Sequence, residues 1–505
     1  MSRREAWVAS APGAWARGAH GIAGKGCVHC RSHLCLTNRW GSFVSDSSRK
    51  IMNMHNVSSS WMRYGLGYVV TLATACGLYA NPVLVHSFSA ETKVKGPLTA
   101  LDGFLYGVAE KGGVANHGYI GRFDPVQGTW SVVHEFSTET KIRGGLVSVG
   151  RGLWFVCEKG GAGGQGYLGS YDPSTGVLSV LTDFWEETKP KTAPVRLDDR
   201  GWYFLTEKRG ATGLGALMRW EPGVGLQVVA SFDSGTGVKF EALPVRVEGS
   251  VWYAAREGGD LTQMAGKGAG AIGTVDLATG TVTRRLALQA ALHGAKIRAW
   301  VPYEGRLYYA AEEGGDLGLN AGKGFGGVGW YDPTSNTARL IFVCDGSGNG
   351  AKPRALVVVQ NTLYFLCGEG GPNGGGTIGR IQDDRVEIVA VLGAGTGAKA
   401  EALTWWGRGL YFTTELGAAH WFGGIGMYEV AAQLGGAAPA LAWRRTAQGL
   451  ELQVMGDLSG PWIVESATDL AGPWGQVTAW MPGSGSMVVP MNEPARFFRL
   501  RRVGP

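Results

Sequence analysis

The chain has 505 residues, of which 83 are glycine and 10% are aromatic. Glycine at this frequency, set among β-branched and aromatic residues, excludes a fold of long helices and indicates short strands joined by tight turns. Residues 1–50 hold eight basic and two acidic residues and so account for the net charge of +6, and the near-neutral body that remains argues against a nucleic-acid-binding protein.

Residues 52–80 have the features of a secretory signal peptide. A polar stretch ends at Arg63, an apolar run covers residues 65–75, and Ala80 offers a small residue for cleavage. The apolar run is too short to span a bilayer. We therefore expect a protein that is secreted or held at the cell envelope, with no transmembrane span in its mature chain. We interpret residues 1–51 as a misassigned or disordered extension ahead of the true start.

A lipid anchor is the alternative at the same place. Residues 72–76 resemble a bacterial lipobox, in which Cys76 would be the lipidated residue. The later cysteines, Cys157, Cys344 and Cys367, are too few for a disulfide scaffold, and we expect them to be buried as small apolar residues.

An apolar and aromatic segment recurs seven times, each time ahead of a glycine-rich stretch. The copies are about 47–56 residues apart, and such internal periodicity is the sequence signature of a repeat architecture. The segments begin at Leu105, Leu153, Trp202, Val251, Leu307, Leu363 and Leu410.

Each repeat divides into four predicted strands. An Asp102-Gly103 pair makes a two-residue hairpin turn in the first repeat, and a type I turn follows Asp124. Four strands in about 40–50 residues are typical of one propeller blade. The sequence therefore predicts an all-β fold, a seven-bladed β-propeller over residues 83–436. The strands predicted in the first repeat are 97–101, 104–109, 118–123 and 130–136.

The ring is predicted to close through its N-terminal strand. The seventh repeat has a Gly-Gly-Ala-Ala-Pro stretch at residues 435–439, where its fourth strand should run. Residues 83–88, at the other end, match the fourth strands at 132–136 and 180–184. We expect this N-terminal strand to complete the last blade, because closure removes the exposed sheet edges that promote aggregation.

The repeats resemble the GloVer tandem repeats of bacterial surface and secreted proteins. The resemblance is carried by His86-Ser87-Phe88, by the stretch at residues 395–403, by Leu-Tyr pairs and by Gly-Gly pairs. It covers about residues 83–430, roughly two thirds of the chain. It implies a repeat architecture and a place at the cell envelope, and it implies no defined activity.

Residues 438–505 break the repeat pattern. Short strand-like segments there predict a small, separate β-sandwich-like domain, and the end of the chain is similar to C-terminal domains of secreted bacterial proteins that end in Phe-Arg-Leu. The resemblance implies sorting or attachment, and a simple accessory domain is the equal alternative.

Two glycine-rich loops match Gly-x-Gly-x-x-Gly, at residues 268–273 and 324–329. A dinucleotide site needs this motif between a strand and a helix, and here it lies between strands, so no cofactor is predicted. The histidines after residue 80 fall at different positions of the repeat, so the sequence predicts neither a metal site nor a catalytic cluster.

Charged residues recur at two positions of every repeat: a basic residue precedes the first strand and an acidic residue ends the second. Hairpin geometry in the first repeat predicts that Lys95 lies directly across from Glu110, and such pairs contribute about 0.2–1 kcal/mol each. The set is either a ladder of structural ion pairs or a charged ring at the channel mouth that receives a ligand. The basic residues are Lys95, Arg143, Lys191, Lys239, Lys296, Lys352 and Lys399, and the acidic residues are Glu110, Glu158, Glu207, Glu257, Glu312, Glu369 and Glu415.

Repeats four and five are longer than the others, and the extra length lies in two loops, 258–267 and 314–323. These loops are expected beside the charged ring, and long loops on a rigid scaffold often carry recognition. Four residues are therefore candidate ligand contacts. The two acids would bind hydroxyl groups or cations of a ligand, and the two lysines would bind its carboxylates. Alternatively, each Asp pairs with the Lys of its own loop. The four are Asp260, Lys267, Asp316 and Lys323.

The function that follows is a non-catalytic, secreted or envelope-associated propeller that acts as a binding or scaffold module. We expect a monomer whose partner is an extracellular glycan or an envelope protein. The alternative is an enzyme, a lyase or hydrolase of extracellular polysaccharide, because a propeller fold does not by itself fix a function.

Overall fold

The computed structural model describes residues 81–430 and, after them, 440–446, 449–455, 462–467, 475–480, 487–489 and 497–502. The predictions made for residues 1–80, namely the extension, the signal peptide and lipidation of Cys76, lie outside the described residues. They remain predictions.

Residues 83–429 form seven four-stranded antiparallel sheets arranged in a ring, as predicted for a seven-bladed β-propeller. The N-terminal strand is β1 (Val83–Ser87). Blade 1 contains β2 (Val94–Leu101), β3 (Phe104–Ala109), β4 (Tyr119–Asp124) and β5 (Thr129–Glu135). Blade 2 contains β6 (Val147–Val149), β7 (Gly152–Val156), β8 (Tyr167–Asp172) and β9 (Val177–Asp183). Blade 3 contains β10 (Val195–Arg196), β11 (Trp202–Thr206), β12 (Ala216–Glu221) and β13 (Gly225–Ser231).

The remaining blades follow the same order. Blade 4 contains β14 (Val245–Val247), β15 (Ser250–Ala255), β16 (Ala271–Val275) and β17 (Val282–Ala287). Blade 5 contains β18 (Ala295–Tyr303), β19 (Arg306–Glu313), β20 (Gly327–Asp332) and β21 (Thr337–Val343). Blade 6 contains β22 (Ala351–Val359), β23 (Thr362–Glu369), β24 (Thr377–Gln382) and β25 (Arg385–Val391). Blade 7 contains β26 (Ala398–Trp406), β27 (Gly409–Leu416) and β28 (Gly424–Glu429). A single helical turn, α1 (Ala290–His293), connects blades 4 and 5, and short 3-10 turns lie at Met264–Gly266 and Asn320–Gly322.

The N-terminal strand closes the ring, as the sequence predicts. Strand β1 pairs antiparallel with β28, from Val83 opposite Met427 to Ser87 opposite Gly424. The Phe88 N–H then donates to the Gly423 carbonyl at 3.1 Å. Blade 7 therefore has four strands although one of them comes from the opposite end of the propeller sequence.

Glycine in the third strand makes room for an aromatic ring of the second strand. A Cβ atom on Gly379 would lie 2.1 Å from the Phe365 ring, and one on Gly169 would lie 2.6 Å from the Phe155 ring. The two rings are fully buried. A side chain at either glycine would displace core packing, so the high glycine content serves close packing within blades as well as turns.

The core consists of contacts between neighbouring blades. Phe184, which follows blade 2, stacks on Phe204 of blade 3 with ring centroids 5.8 Å apart. Phe342 of blade 5 meets Phe365 of blade 6 at 5.0 Å. Such aromatic pairs contribute about 0.5–1.5 kcal/mol beyond the apolar area they bury. Each blade is thus stabilised by its two neighbours around the ring.

The C-terminal strands form two three-stranded antiparallel sheets. One is β29 (Ala440–Thr446), β30 (Gly449–Met455) and β33 (Met487–Val489), and the other is β32 (Gly475–Trp480), β31 (Trp462–Ala467) and β34 (Phe497–Arg502). The identity of this part as a separate sorting, attachment or accessory domain stays a prediction. None of the helices in the described ranges is long and apolar enough to cross a bilayer.

Candidate functional site: a charged collar at the channel mouth

The first strand of each blade lines the central channel, and backbone hydrogen bonds show which of its residues are equivalent. The Glu110 N–H donates to the Lys93 carbonyl at 2.8 Å, and the Arg256 N–H donates to the Lys239 carbonyl at the same distance. Lys93 and Lys239 therefore occupy one position, and Lys95 is equivalent to Glu241, two residues further along the chain. In blades 2–4 these residues lie on the segment that leads into the first strand.

These registers define two sets of charged residues at the mouth of the channel. The rim lysines provide one residue per blade: Lys93, Lys141, Lys189, Lys239, Lys296, Lys352 and Lys399. The collar lies two residues after the rim lysines in the chain. Side chains two residues apart in an extended segment point to the same side, so those of the collar also face the channel. Its seven members are Lys95, Arg143, Lys191, Glu241, Arg298, Arg354 and Glu401.

The predicted basic set combined these two positions. Its first three members belong to the collar and its last four to the rim, because the aromatic segments that mark the repeats do not fix the register of the residues ahead of the first strand. The predicted acidic set is mixed in the same way: Glu257 and Glu369 lie one residue beyond the position that Glu110 occupies. Alignment of the repeats on Lys-x-Lys/Arg/Glu, which all seven contain, would have separated the two sets.

The predicted facing of Lys95 and Glu110 is wrong. Lys95 lies opposite Val108, whereas Thr99 lies opposite Tyr106, so β2 bulges between the two. The bulge changes the register that the hairpin turn sets.

In blades 1–3 the collar cation reaches the acid of the preceding blade. Arg143 of blade 2 binds Glu110 of blade 1 at 2.9 Å. Lys191 of blade 3 binds Glu158 of blade 2. Lys95 of blade 1 binds Glu415 of blade 7, a residue 320 positions away in the chain, and so spans the closure of the ring.

In blades 4–7 six side chains form a closed ring of alternating charges, which we call the ion-pair hexad. Each of its three arginines lies between two glutamates. Arg256 binds Glu241 at 2.7 Å and Glu312 at 2.6 Å, Arg298 binds Glu241 at 2.9 Å and Glu401 at 2.8 Å, and Arg354 binds Glu401 at 2.7 Å and Glu312 at 3.4 Å. Only Glu312 of these six is in the predicted set.

The arginines of the hexad oppose the effect of burial on Glu312. Burial alone would raise the pKa of Glu312, but the three arginines lower it below the usual 4.5. Burial would also raise the pKa of Glu415, but the hydrogen bond and the charge of Lys95 lower it below its usual value. Burial would lower the pKa of Arg298, and the carboxylates around it, that of Glu241 foremost, raise it above its usual value. The collar is thus a set of compensated charges.

The rim lysines are neutralised in two ways. In blades 1–3 the partner is the glutamate two residues earlier, as in Lys93 with Glu91 at 3.3 Å. In blades 4–6 the partner follows the second strand, as in Lys239 with Glu257 at 2.7 Å. Lys399 has Gly397 and Leu416 at the equivalent positions, and it is exposed with no ion pair to any described residue. Its predicted counterpart Glu415 binds Lys95 instead.

A cavity of about 650 Å³ occupies the channel, and all seven blades line it. Blades 4–7 provide bulky apolar side chains to its lining, namely Leu243, Trp300, Leu356 and Leu403. Blades 1–3 provide Leu146, Val147, Val195 and Trp202 as well as smaller residues such as Pro97, Gly144 and Ala193. The space therefore combines a charged belt with an apolar lining.

The two long loops share the same backbone conformation and lie beside the rim lysines. Asp260 accepts hydrogen bonds from the Thr262 N–H at 3.0 Å and the Thr262 hydroxyl at 2.7 Å, and Asp316 accepts one from the Gly318 N–H at 2.8 Å. The carboxylates therefore fold their own loops. The side chains of Lys267 and Lys323 are exposed, and neither pairs with the Asp of its loop. Ligand binding by these four residues stays a prediction.

Of the 18 large apolar side chains that are exposed among the described residues, nine lie on the mouth face, three on the opposite face, and six on the outer strands or in the channel. This face carries the loops between second and third strands and the connections between blades. The opposite face, formed by the hairpin turns, exposes only the valines Val126, Val177 and Val224 from this class among the described residues. The mouth face exposes Val114, Trp185, Leu214, Leu261, Leu292, Leu317, Leu416, Trp421 and Phe422.

The described residues contain no group of three or more His, Cys, Asp or Glu side chains placed to hold a metal ion. The histidines are apart from the cavity: His86 contacts the Gly128 carbonyl at 3.3 Å and His117 the Ser137 carbonyl at 2.9 Å.

Comparison with known proteins bears on this architecture. The Gloeobacter/Verrucomicrobia repeat family model matches residues 52–265. This confirms the resemblance drawn from the residues, and the blades extend the same pattern to residue 429. Comparison with curated proteins gives no match.

Among solved structures, the extracellular domain of a hybrid two-component system of B. thetaiotaomicron, BT4673, is 9% identical with a TM-score of 0.47. The match covers 74% of this chain and 45% of that one, so this chain spans less than half of the length of that protein. An oligogalacturonate lyase of Vibrio parahaemolyticus is 11% identical with a TM-score of 0.44, over 69% of this chain and 93% of that one. Similarity at this level carries no information on activity.

Proposed function

We propose that this propeller protein is a non-catalytic binding or scaffold module, secreted or associated with the cell envelope, whose partner docks on the mouth face. The observation that carries the proposal is the uneven distribution of exposed apolar side chains. Trp185 and Trp421 expose 73% and 75% of their surfaces there. Exposed apolar groups concentrated on one face mark an interaction surface.

The chemistry of the collar supports binding rather than catalysis. A glutamate that acts as general acid or base near neutral pH needs a pKa raised towards 7. The pKa of Glu312 and that of Glu415 are instead lowered by the neighbouring cations. Glu401, which lines the cavity, is held by Arg298 at 2.8 Å and by Arg354 at 2.7 Å. The lowered pKa values make Glu312 and Glu415 poor proton carriers, and both oxygens of Glu401 are engaged by arginines.

An extracellular glycan is the partner that fits this face best. The flat apolar faces of Trp185 and Trp421 would stack on the C–H faces of sugar rings, as amphipathic aromatic side chains do at interfaces. The unpaired amine of Lys399 and the exposed amines of Lys267 and Lys323 would bind acidic or hydroxyl groups between them. An envelope protein is the alternative partner.

Binding should be measured by glycan array and titration calorimetry with neutral and acidic oligosaccharides. Trp185→Ala and Trp421→Ala are expected to weaken binding, and Val177→Ala and Val224→Ala, on the opposite face, are the matched controls. Equal effects of the two pairs would refute the mouth face as the binding face. Turnover of any polysaccharide would replace this proposal with the lyase or hydrolase alternative.

The cavity can be tested separately. Leu243 lines it and is 40% exposed, and Val228 on an outer strand is 43% exposed. If the partner enters the channel, Leu243→Trp should reduce binding and Val228→Trp should not. If neither substitution has an effect, the partner docks on the loops alone.

A further inference from the structure

Two buried cysteines meet at the boundary between blades 5 and 6. Cys344 directly follows β21 in blade 5, and Cys367 lies in β23 of blade 6. Their Sγ atoms are 3.8 Å apart, and both residues are fully buried. Both are free thiols. The sequence predicts that they are buried, but it does not predict that they contact each other.

The backbone holds both residues in place. The Cys344 N–H donates to the Gly326 carbonyl at 3.0 Å, and Cys367 is paired with Pro353 on one side and Thr377 on the other. The two sulfur atoms come from neighbouring blades that the packed interface already fixes. A disulfide needs a distance of about 2.05 Å, so a side-chain movement of under about 2 Å would form the bond.

The third described cysteine shows what an ordinary buried thiol looks like in this fold. The Cys157 thiol donates to the Tyr167 carbonyl at 3.3 Å and has no second sulfur beside it. Cys344 and Cys367, in contrast, contact each other. Cys157 is therefore a matched internal control.

We propose that Cys344 and Cys367 are a disulfide site that links blade 5 to blade 6 when the chain folds under oxidising conditions. The co-reactant is a small-molecule disulfide such as oxidised glutathione. The thiolate of one cysteine attacks it, forms a mixed disulfide and releases one reduced thiol. The second cysteine attacks the mixed disulfide, which forms the Cys344–Cys367 bond and releases the second thiol. Two protons and two electrons thus leave the protein, and the small-molecule disulfide is reduced to two thiols.

The oxidant reaches the two thiols when the interface opens or while it is still being packed. Once the blades are packed, the pKa of Cys344 is raised by the neighbouring Cys367 thiol and by burial, so the reactive thiolate is scarce. The link spans the interface that Arg354 of blade 6 and Glu312 of blade 5 also cross at 3.4 Å, and so it would hold that part of the collar together. It does not depend on the proposed binding function.

The experiment refolds the full chain from denaturant in a glutathione redox buffer and then alkylates it in fresh denaturant without reductant. Digestion and mass spectrometry should show loss of alkylation at Cys344 and Cys367, full alkylation at Cys157, and a peptide pair joined through Cys344 and Cys367 that separates on reduction. Alkylation of Cys344 and Cys367 to the level of Cys157 would overturn the proposal. So would a pairing of either residue with another cysteine of the chain.

Stability provides a second readout that does not depend on the digestion. Added reductant should lower the melting temperature of the oxidised parent and of Cys157→Ser, and it should not change that of Cys344→Ala or Cys367→Ala. A reductant-dependent shift that persists in Cys344→Ala would show that another bond causes it.

Discussion

Glu401 is the residue whose loss should show that the collar is structural. Its side chain is 6% exposed, and it joins two arginines of the hexad and lies 3.7 Å from Lys95. The change Glu401→Gln keeps the shape and removes the charge. It leaves the guanidinium groups of Arg298 and Arg354, whose side chains are 27% and 10% exposed, short of one counter-charge each.

Removal of one partner of a buried ion pair costs about 3–5 kcal/mol. Each arginine would keep other carboxylates, Arg298 that of Glu241 and Arg354 that of Glu369 at 3.2 Å, so we expect the low end of this range. Glu387→Gln is the control: it breaks the pair with Arg380 on the outer face of blade 6, where Glu387 is 56% exposed, and should cost less than about 1 kcal/mol.

The assay is urea unfolding at neutral pH, followed by tryptophan fluorescence and circular dichroism. The midpoint should fall for Glu401→Gln at an unchanged slope, which reports a change in stability rather than in the surface exposed on unfolding. A double variant, Glu401→Gln with Arg354→Met, should lose less than the sum of its single changes, because the two residues share one contact. A Glu401→Gln midpoint equal to that of Glu387→Gln would refute the structural role and favour a collar open to ligand.

Three further predictions follow from the same contacts. Deletion of residues 83–88 should remove soluble protein or lower the melting temperature sharply, since the buried Phe88 ring alone is worth about 3–5 kcal/mol; unchanged melting would contradict N-terminal closure. The pKa values of Glu312 and Glu415 are lower in the folded than in the unfolded chain, so the stability they contribute is complete above the unfolded pKa near 4.5 and is lost as the pH falls through the folded pKa values. The melting temperature at constant ionic strength should therefore decrease below about pH 4. A melting temperature that rises on acidification would exclude the effect. Removal of residues 260–267 and 316–323 together should leave melting nearly unchanged, because the shorter repeats fold without them, and should weaken glycan binding if these loops contact the partner; intact binding would show that they do not.

Much of the fold is local and could be predicted from the sequence. The Asp102-Gly103 turn lies where the pair predicts it, with φ of 49° and 82°, because few other residues tolerate that conformation. The turn after Asp124 is fixed by its own carboxylate, which accepts the Val126 N–H at 2.9 Å. The last repeat lacks a fourth strand and residues 83–88 form a strand without a repeat, so the sequence predicts that the two ends pair.

The site was only half visible in the sequence, because its contacts are made by the ring and not by the repeat. The recurrence of charge at each repeat was evident, but a bulge in β2 moved Lys95 away from Glu110, and Lys95 found its partner at Glu415, across the closure. Alternation along a strand depends on neighbouring residues and can be counted in the sequence, whereas the pairing of residues from different blades depends on how the blades pack. The sequence by itself determined seven blades, their turns and the strand that closes them; tertiary packing alone decided the hexad, the contact of Cys344 with Cys367 and the gathering of exposed aromatic residues on one face, because each joins residues that no local pattern connects.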